Sequence, residues 1–228
     1  MKFRIQVLNS DFVKNILTLL SGVAVAQILP IALSPILTRL YTPEDFGLFG
    51  LYLSLTSAVA VFATGRFDLA IIEPKHDYDA KILVLISFLL SIVFSAFLLI
   101  VFIAFNGAIA GLLGDNRISN WLYLVPFSVF SISSVSILYY WLNRKKLYKE
   151  RSLSRVISSS TISIVSLSIA FFKSIKPGGL ILGVFLGQIA NVFFLKNFFS
   201  FQDVHFNKKK AKIIALKYKD YPKYLMLS

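Results

Sequence analysis

The sequence predicts an all-α, polytopic membrane protein with six transmembrane helices and both termini in the cytoplasm. Three observations carry this reading. Of 228 residues, 57% are hydrophobic, above the roughly 45–50% of ordinary soluble domains, and the mean hydropathy is +0.74. Six apolar runs each approach the roughly 20 residues that a helix rising about 1.5 Å per residue needs to cross about 30 Å of hydrocarbon. The basic residues alternate in density from one connecting loop to the next. Cysteine is absent and the two histidines, His76 and His205, lie far apart, so neither a disulfide framework, a thiolate metal site nor a histidine-centred site is available. No cofactor and no metal are expected.

The first span covers about 15–37. No small-residue cleavage site follows it and it is long enough to span, so it reads as an uncleaved helix rather than a signal peptide. Gln27, Pro30 and Pro35 lie inside it. Each proline frees a carbonyl that must find another donor in lipid, which makes Pro30 and Pro35 hinge candidates in a bent helix.

The second span covers about 47–65 and runs into "VFATGRFDLAIIEPK" (61–75), where Arg66 and Asp68 interrupt apolar sequence. Two readings are open here. Arg66 ends the helix and snorkels to the inner interface, or the helix continues to Ile72 and sets Ala63, Arg66, Ala70 and Glu73 on one face within the membrane. Arg66 and Asp68, two residues apart, do not face each other on a helix.

Spans three to six cover about 82–105, 121–142, 156–172 and 178–199. Spans four and five are rich in serine, whose hydroxyls bond back to their own helix, reach a neighbour or line a wet cavity. Span six, "GGLILGVFLGQIANVFF", spaces Gly179, Gly183 and Gly187 four apart, with Asn191 on the same face. Small residues at this interval let helix backbones approach closely, so the three glycines are assigned to helix packing. The chain divides into a six-helix membrane lobe (1–201) and a basic cytoplasmic segment (202–228).

Lysine and arginine fix the orientation, because cytoplasmic loops keep positive charge. Nineteen of them fall in the N-terminal tail, the loops after spans two and four and the C-terminal segment, against four (Arg39, Arg117, Lys173, Lys176) in the alternate loops. Six of the nineteen, Arg144, Lys145, Lys146, Lys149, Arg151 and Arg155, are counted to the loop after span four. The net charge of +13 is thus a topology signal, and nucleic acid is excluded as the partner. No phosphate-binding glycine loop, paired soluble carboxylates or nucleophile constellation is present, so an enzyme is not expected.

Several segments together resemble a known family. "LSPILTRLYTPEDFGLFGLY" (33–52), "GRFDLAIIEPK", "WLYLVPFSVF" followed by "YYWLNRKKLYKERSLSRV", and the terminal "KYKDYPKYLM" are similar, in order, to segments of bacterial lipid-linked oligosaccharide flippases of the Wzx type, within the multidrug/oligosaccharidyl-lipid/polysaccharide exporter superfamily. The resemblance implies a transporter of two six-helix lobes around a central cavity, working by alternating access in the bacterial inner membrane. The implied cargo is a polyprenyl-pyrophosphate-linked glycan for O-antigen, capsule or other surface polysaccharide. Its implied partners are the lipid bilayer, that glycan and other polysaccharide assembly proteins. The sequence stops where the family's seventh span begins, and the expectation is an amino-terminal half.

An anionic, polar cargo head requires a hydrated and preferably cationic passage. The candidates for its cavity are Arg66 first, then Arg39 at the outer end of span one and Lys196 near the inner end of span six. Asp68 either holds a neighbouring cation or takes up a coupling proton. Arg39 and Lys196 read equally as interfacial anchors. The alternatives are a drug/cation antiporter of the same superfamily, which requires acids rather than arginines in the cavity, and an inactive half-transporter. A membrane-bound polymerase would need a large outer loop, and the outer loops here are short.

Overall fold

The computed structural model describes residues 10–171, 178–200 and 208–221, and among these no strand occurs. Six long helices are apolar enough to cross a membrane: α1 (Ser10–Leu40), α2 (Pro43–Ala63), α3 (Asp77–Ala104), α6 (Val125–Arg144), α7 (Tyr148–Ala170) and α8 (Gly179–Leu195). Two short helices, α4 (Asn106–Leu112) and α5 (Ser119–Leu122), bridge α3 to α6, and α9 (Lys208–Lys217) follows α8. The chain is a multi-pass membrane protein in contact with the lipid bilayer. Lys2, Arg4, Lys173, Lys176, His205 and Lys223 lie outside the described residues.

The helices alternate in direction. At one end the start of α2 (Leu48, Tyr52), the end of α3 (Leu98, Phe102) and the starts of α6 (Val125) and α8 (Ile181) share one apolar cluster. At the other end the start of α3 (Ile82, Leu83), the end of α6 (Leu138, Trp141) and the end of α8 (Leu195) share a second. Laterally, α1 packs on α7 and α7 on α8, while α2 and α3 pack on α6. Because α6 also meets α8, it is the central helix that joins the two groups.

The corner between α1 and α2 shows why "LYTPEDF" folds as it does. Thr42 caps α2 by accepting from the Asp45 amide at 3.3 Å, and the Asp45 carboxylate accepts from the Thr42 amide at 3.0 Å. Pro43 occupies the first turn, where its missing N–H removes no helical bond. Buried Tyr41 then donates its hydroxyl to the Ser166 carbonyl on α7 at 2.6 Å. Burial, with the Asp45 carboxylate adding to it, pushes that hydroxyl up to about 12, so it stays a donor at neutral pH.

The short, serine-rich fifth span is a full helix at the centre of its group. Its buried serines face neighbouring helices: Ser152 donates to the Thr18 carbonyl at 3.1 Å, and Ser159 donates to the Ala26 carbonyl. Ala26 is four residues before Pro30, so Ser159 meets the carbonyl that this proline releases. α1 runs through Pro30 and Pro35 as one continuous helix.

The glycines of α8 lie against α7. A Cβ at Gly183 would come within 3.0 Å of the Ile162 carbonyl, one at Gly187 within 2.9 Å of the Ser158 carbonyl, and one at Gly179 would collide with the Tyr41 hydroxyl. Two helix edges sit later or earlier than the apolar runs suggest. α6 begins at Val125 with Pro126 in its first turn, after the separate α5 turn. α7 begins at Tyr148, which lifts Arg151 and Arg155 out of the loop to which they were counted and onto a helix. α9 docks on the bundle by burying Ala211, Ile214 and, just beyond it, Tyr218, and it packs on α3.

Candidate functional site

The stretch after α2 ends the helix, as the first of the two readings has it, and does not continue it to Ile72. The helix ends at Ala63, and Gly65 and Arg66 adopt left-handed backbone conformations with φ of 57° and 61°. The extension of the helix to Ile72 is therefore corrected: two positive φ angles break it, and residues 69–72 form a separate 3₁₀ turn. The chain does not leave the protein at this point. Ala70 and Ile71 are fully buried, with the turn packed against α6 and α3. Irregular backbone inside a membrane bundle is tolerated where it is covered by protein or lines a cavity.

Asp68 lies in this turn, 5% exposed. Its Oδ1 accepts from the Thr64 hydroxyl at 2.8 Å and its Oδ2 from the Ser136 hydroxyl on α6 at 2.7 Å. Two neutral donors thus satisfy the carboxylate, and no cation bonds it among the described residues. Arg66 is half-buried; its amide donates to the Thr64 hydroxyl at 3.2 Å, and its Nε is buried without a hydrogen-bond partner. Both residues line a cavity of about 210 Å³ with Ser57, Thr64, Ser133 and Ser136.

A larger cavity of about 490 Å³ lies between α1, α6, α7 and α8, and Ile132 lines both. Its polar wall comprises Gln27 from α1, Tyr139 from α6, Arg155, Ser158 and Ser159 from α7, and Gln188 and Asn191 from α8. Pro30 also lines it. The side-chain carbonyl oxygens of Gln188 and Asn191 are buried and unpartnered, while the Asn191 amide donates to the Tyr139 hydroxyl at 3.1 Å.

The four charged candidates fall in three places. Arg66 and Asp68 share a cavity. Arg39 is exposed on the last turn of α1, at the end where Tyr41 joins α7. Lys196 is exposed beyond α8 with its ammonium 4.2 Å from the centre of the Phe193 ring. Neither Arg39 nor Lys196 lines these two cavities.

Arg155, Tyr139 and Gln188 escaped the sequence reading. The signal for Arg155 was its place four residues after Arg151 in "YKERSLSRV", the spacing of one helical face. Arg144 was likewise counted only as a loop charge. Its guanidinium donates to the carbonyls of Ile72 at 3.1 Å and Pro74 at 2.6 Å and to Asp77 at 3.0 Å, fastening the end of the 3₁₀ turn to the end of α6. Lys145 also bonds Asp77.

The arrangement is a polar, partly cationic interior in an apolar bundle. Among the described residues no three His, Cys, Asp or Glu side chains converge as metal ligands. It is suited to holding an anionic, hydroxyl-rich group away from lipid. No curated protein and no solved structure matches the chain. A family model described as polysaccharide biosynthesis protein matches residues 36–214, from the end of α1 into α9. The chain belongs to this polysaccharide biosynthesis protein family.

Proposed function

We propose that the protein translocates a polyprenyl-pyrophosphate-linked oligosaccharide from the inner to the outer leaflet of the bacterial inner membrane during surface polysaccharide assembly. The observation that carries this reading is the polar interior of the bundle, where Arg66 and Arg155 line adjoining cavities in a member of a polysaccharide biosynthesis family. A charged group inside a membrane bundle is costly unless it faces a cavity or partner and marks a transport path by default. Here the cations answer a diphosphate, and the amides and hydroxyls answer sugar hydroxyls, while the prenyl tail stays in lipid. The protein acts by binding and exposure to alternate sides, with no covalent chemistry.

The drug/cation antiporter reading is less well supported, since the one acid in these cavities, Asp68, is already satisfied by two hydroxyls. The test is complementation of a strain that lacks its oligosaccharide flippase. Arg66→Glu is expected to abolish complementation with the protein's membrane abundance unchanged. Normal complementation by that variant would remove Arg66 from the path.

A further inference from the structure

The turn from α6 into α7 carries Arg144, Lys145 and Lys146 in succession. Arg144 ends one membrane span and Tyr148 begins the next, so the turn lies at headgroup level, where hydrocarbon gives way to charge. Together with Asn143, Tyr148 and Asp77 of α3, the three cations line a cavity of about 500 Å³. It shares no lining residue with the two polar cavities of the interior.

The charges of this cavity do not balance. Asp77 is the one acid of its lining, and both Arg144, at 3.0 Å, and Lys145 bond that carboxylate. Arg144 is further committed to the carbonyls of Ile72 and Pro74. Lys145 has three ammonium donors, only one of which Asp77 occupies. Lys146 is exposed, and among the described residues no acid pairs with it. Lys146 also has a φ of 57°, at the position after a helix where glycine is the ordinary residue. A cation is thus held where glycine would be less strained.

What answers this excess of positive charge is a phosphate. Its oxygens accept charge-assisted bonds from the two ammonium groups and neutral ones from the Asn143 amide and the Tyr148 hydroxyl. Ile72, also on the lining and 41% exposed, adds an apolar rim that suits a lipid rather than a free ion. We infer that Lys145 and Lys146, with Asn143 and Tyr148, bind the phosphate headgroup of an anionic phospholipid in a cavity framed by Arg144 and Asp77. Basic pockets between spans are a recurrent headgroup site. The site is independent of the translocation reading, and either stands if the other fails.

The test is native mass spectrometry of the full chain titrated in detergent with phosphatidylglycerol, or with phosphatidylcholine of the same acyl chains. Phosphatidylglycerol is expected to bind about tenfold more tightly, and Lys145→Gln and Lys146→Gln should each weaken it about tenfold, the loss of one charge-assisted bond. Lys146→Gly should weaken it equally with no fall in thermal midpoint, which separates lost binding from lost folding. Lys212→Gln removes an exposed cation of α9, docked at the same end of the bundle, and should leave binding unchanged. Equal binding of the two lipids would overturn the site. So would equal losses in Lys212→Gln and Lys146→Gln, the mark of diffuse attraction to a basic surface. Phosphatidylglycerol should persist against millimolar inorganic phosphate; its displacement would overturn the lipid assignment in favour of a free phosphate.

Discussion

At Arg66 a long charged side chain sits on left-handed backbone, a conformation that costs a non-glycine residue about 1–2 kcal/mol. Arg66→Gly relieves this strain and adds about 0.5–1 kcal/mol of chain entropy to be lost on folding. The strain relieved exceeds the entropy lost by a small margin. The thermal midpoint of Arg66→Gly should therefore equal or slightly exceed that of the wild type while transport is lost; a large fall in the midpoint would make the arginine structural. Asp68→Asn gives a complementary reading, since the hydroxyls of Thr64 and Ser136 both point at its oxygens and only one amide oxygen remains to accept. The variant should be destabilised by about 1–3 kcal/mol in a detergent melt.

Arg144 and Asp77 divide unequally. The ion pair involves a half-exposed carboxylate and is worth about 0–1 kcal/mol. Loss of the arginine also leaves the carbonyls of Ile72 and Pro74 short of a donor, and Arg144→Gln should cost about 1–3 kcal/mol. Equal losses in Arg144→Gln and Asp77→Asn would contradict this ranking.

Among the elements, α7 and α8 share the most extensive contact, and the α8 glycines lie within it. Gly183→Ala and Gly187→Ala place a methyl group against backbone carbonyls of α7, which cannot swing aside as a flexible side chain does. Overpacking of this kind costs about 1–3 kcal/mol. A Cβ at Gly50 of α2 meets nothing within 4 Å, so Gly50→Ala should be neutral or slightly stabilising. The comparison is read as paired thermal midpoints in detergent.

The six spans and the glycine spacing of α8 were legible in the sequence because hydropathy and residue interval are local properties. The starts of α6 and α7 were not. At α6 the apolar run continues across a break between α5 and Val125, whereas the arginines in the first turns of α7 end an apolar run without ending a helix. Arg155 was hidden for that reason, its charge being assigned to a loop. The turn at Arg66 was hidden because a left-handed arginine leaves no mark in composition, and "LAII" suits a 3₁₀ turn as well as a helix.

For the whole molecule, α6 joins the group α1–α7–α8 to the group α2–α3, and the polar cavities open along that join. Which faces converge on them depends on the packing of helices distant in sequence, such as Tyr139 with Asn191. Residue type could nominate Arg66 and Asp68 but could not gather Gln27, Tyr139, Arg155 and Gln188 around one space. The proposed passage of a lipid-linked diphosphate glycan through this interior is measured by transbilayer movement of a fluorescent polyprenyl-diphosphate oligosaccharide in proteoliposomes containing the full chain. Movement is expected with the wild type and none with Arg66→Glu. No movement with the wild type, or equal movement with both, would contradict it.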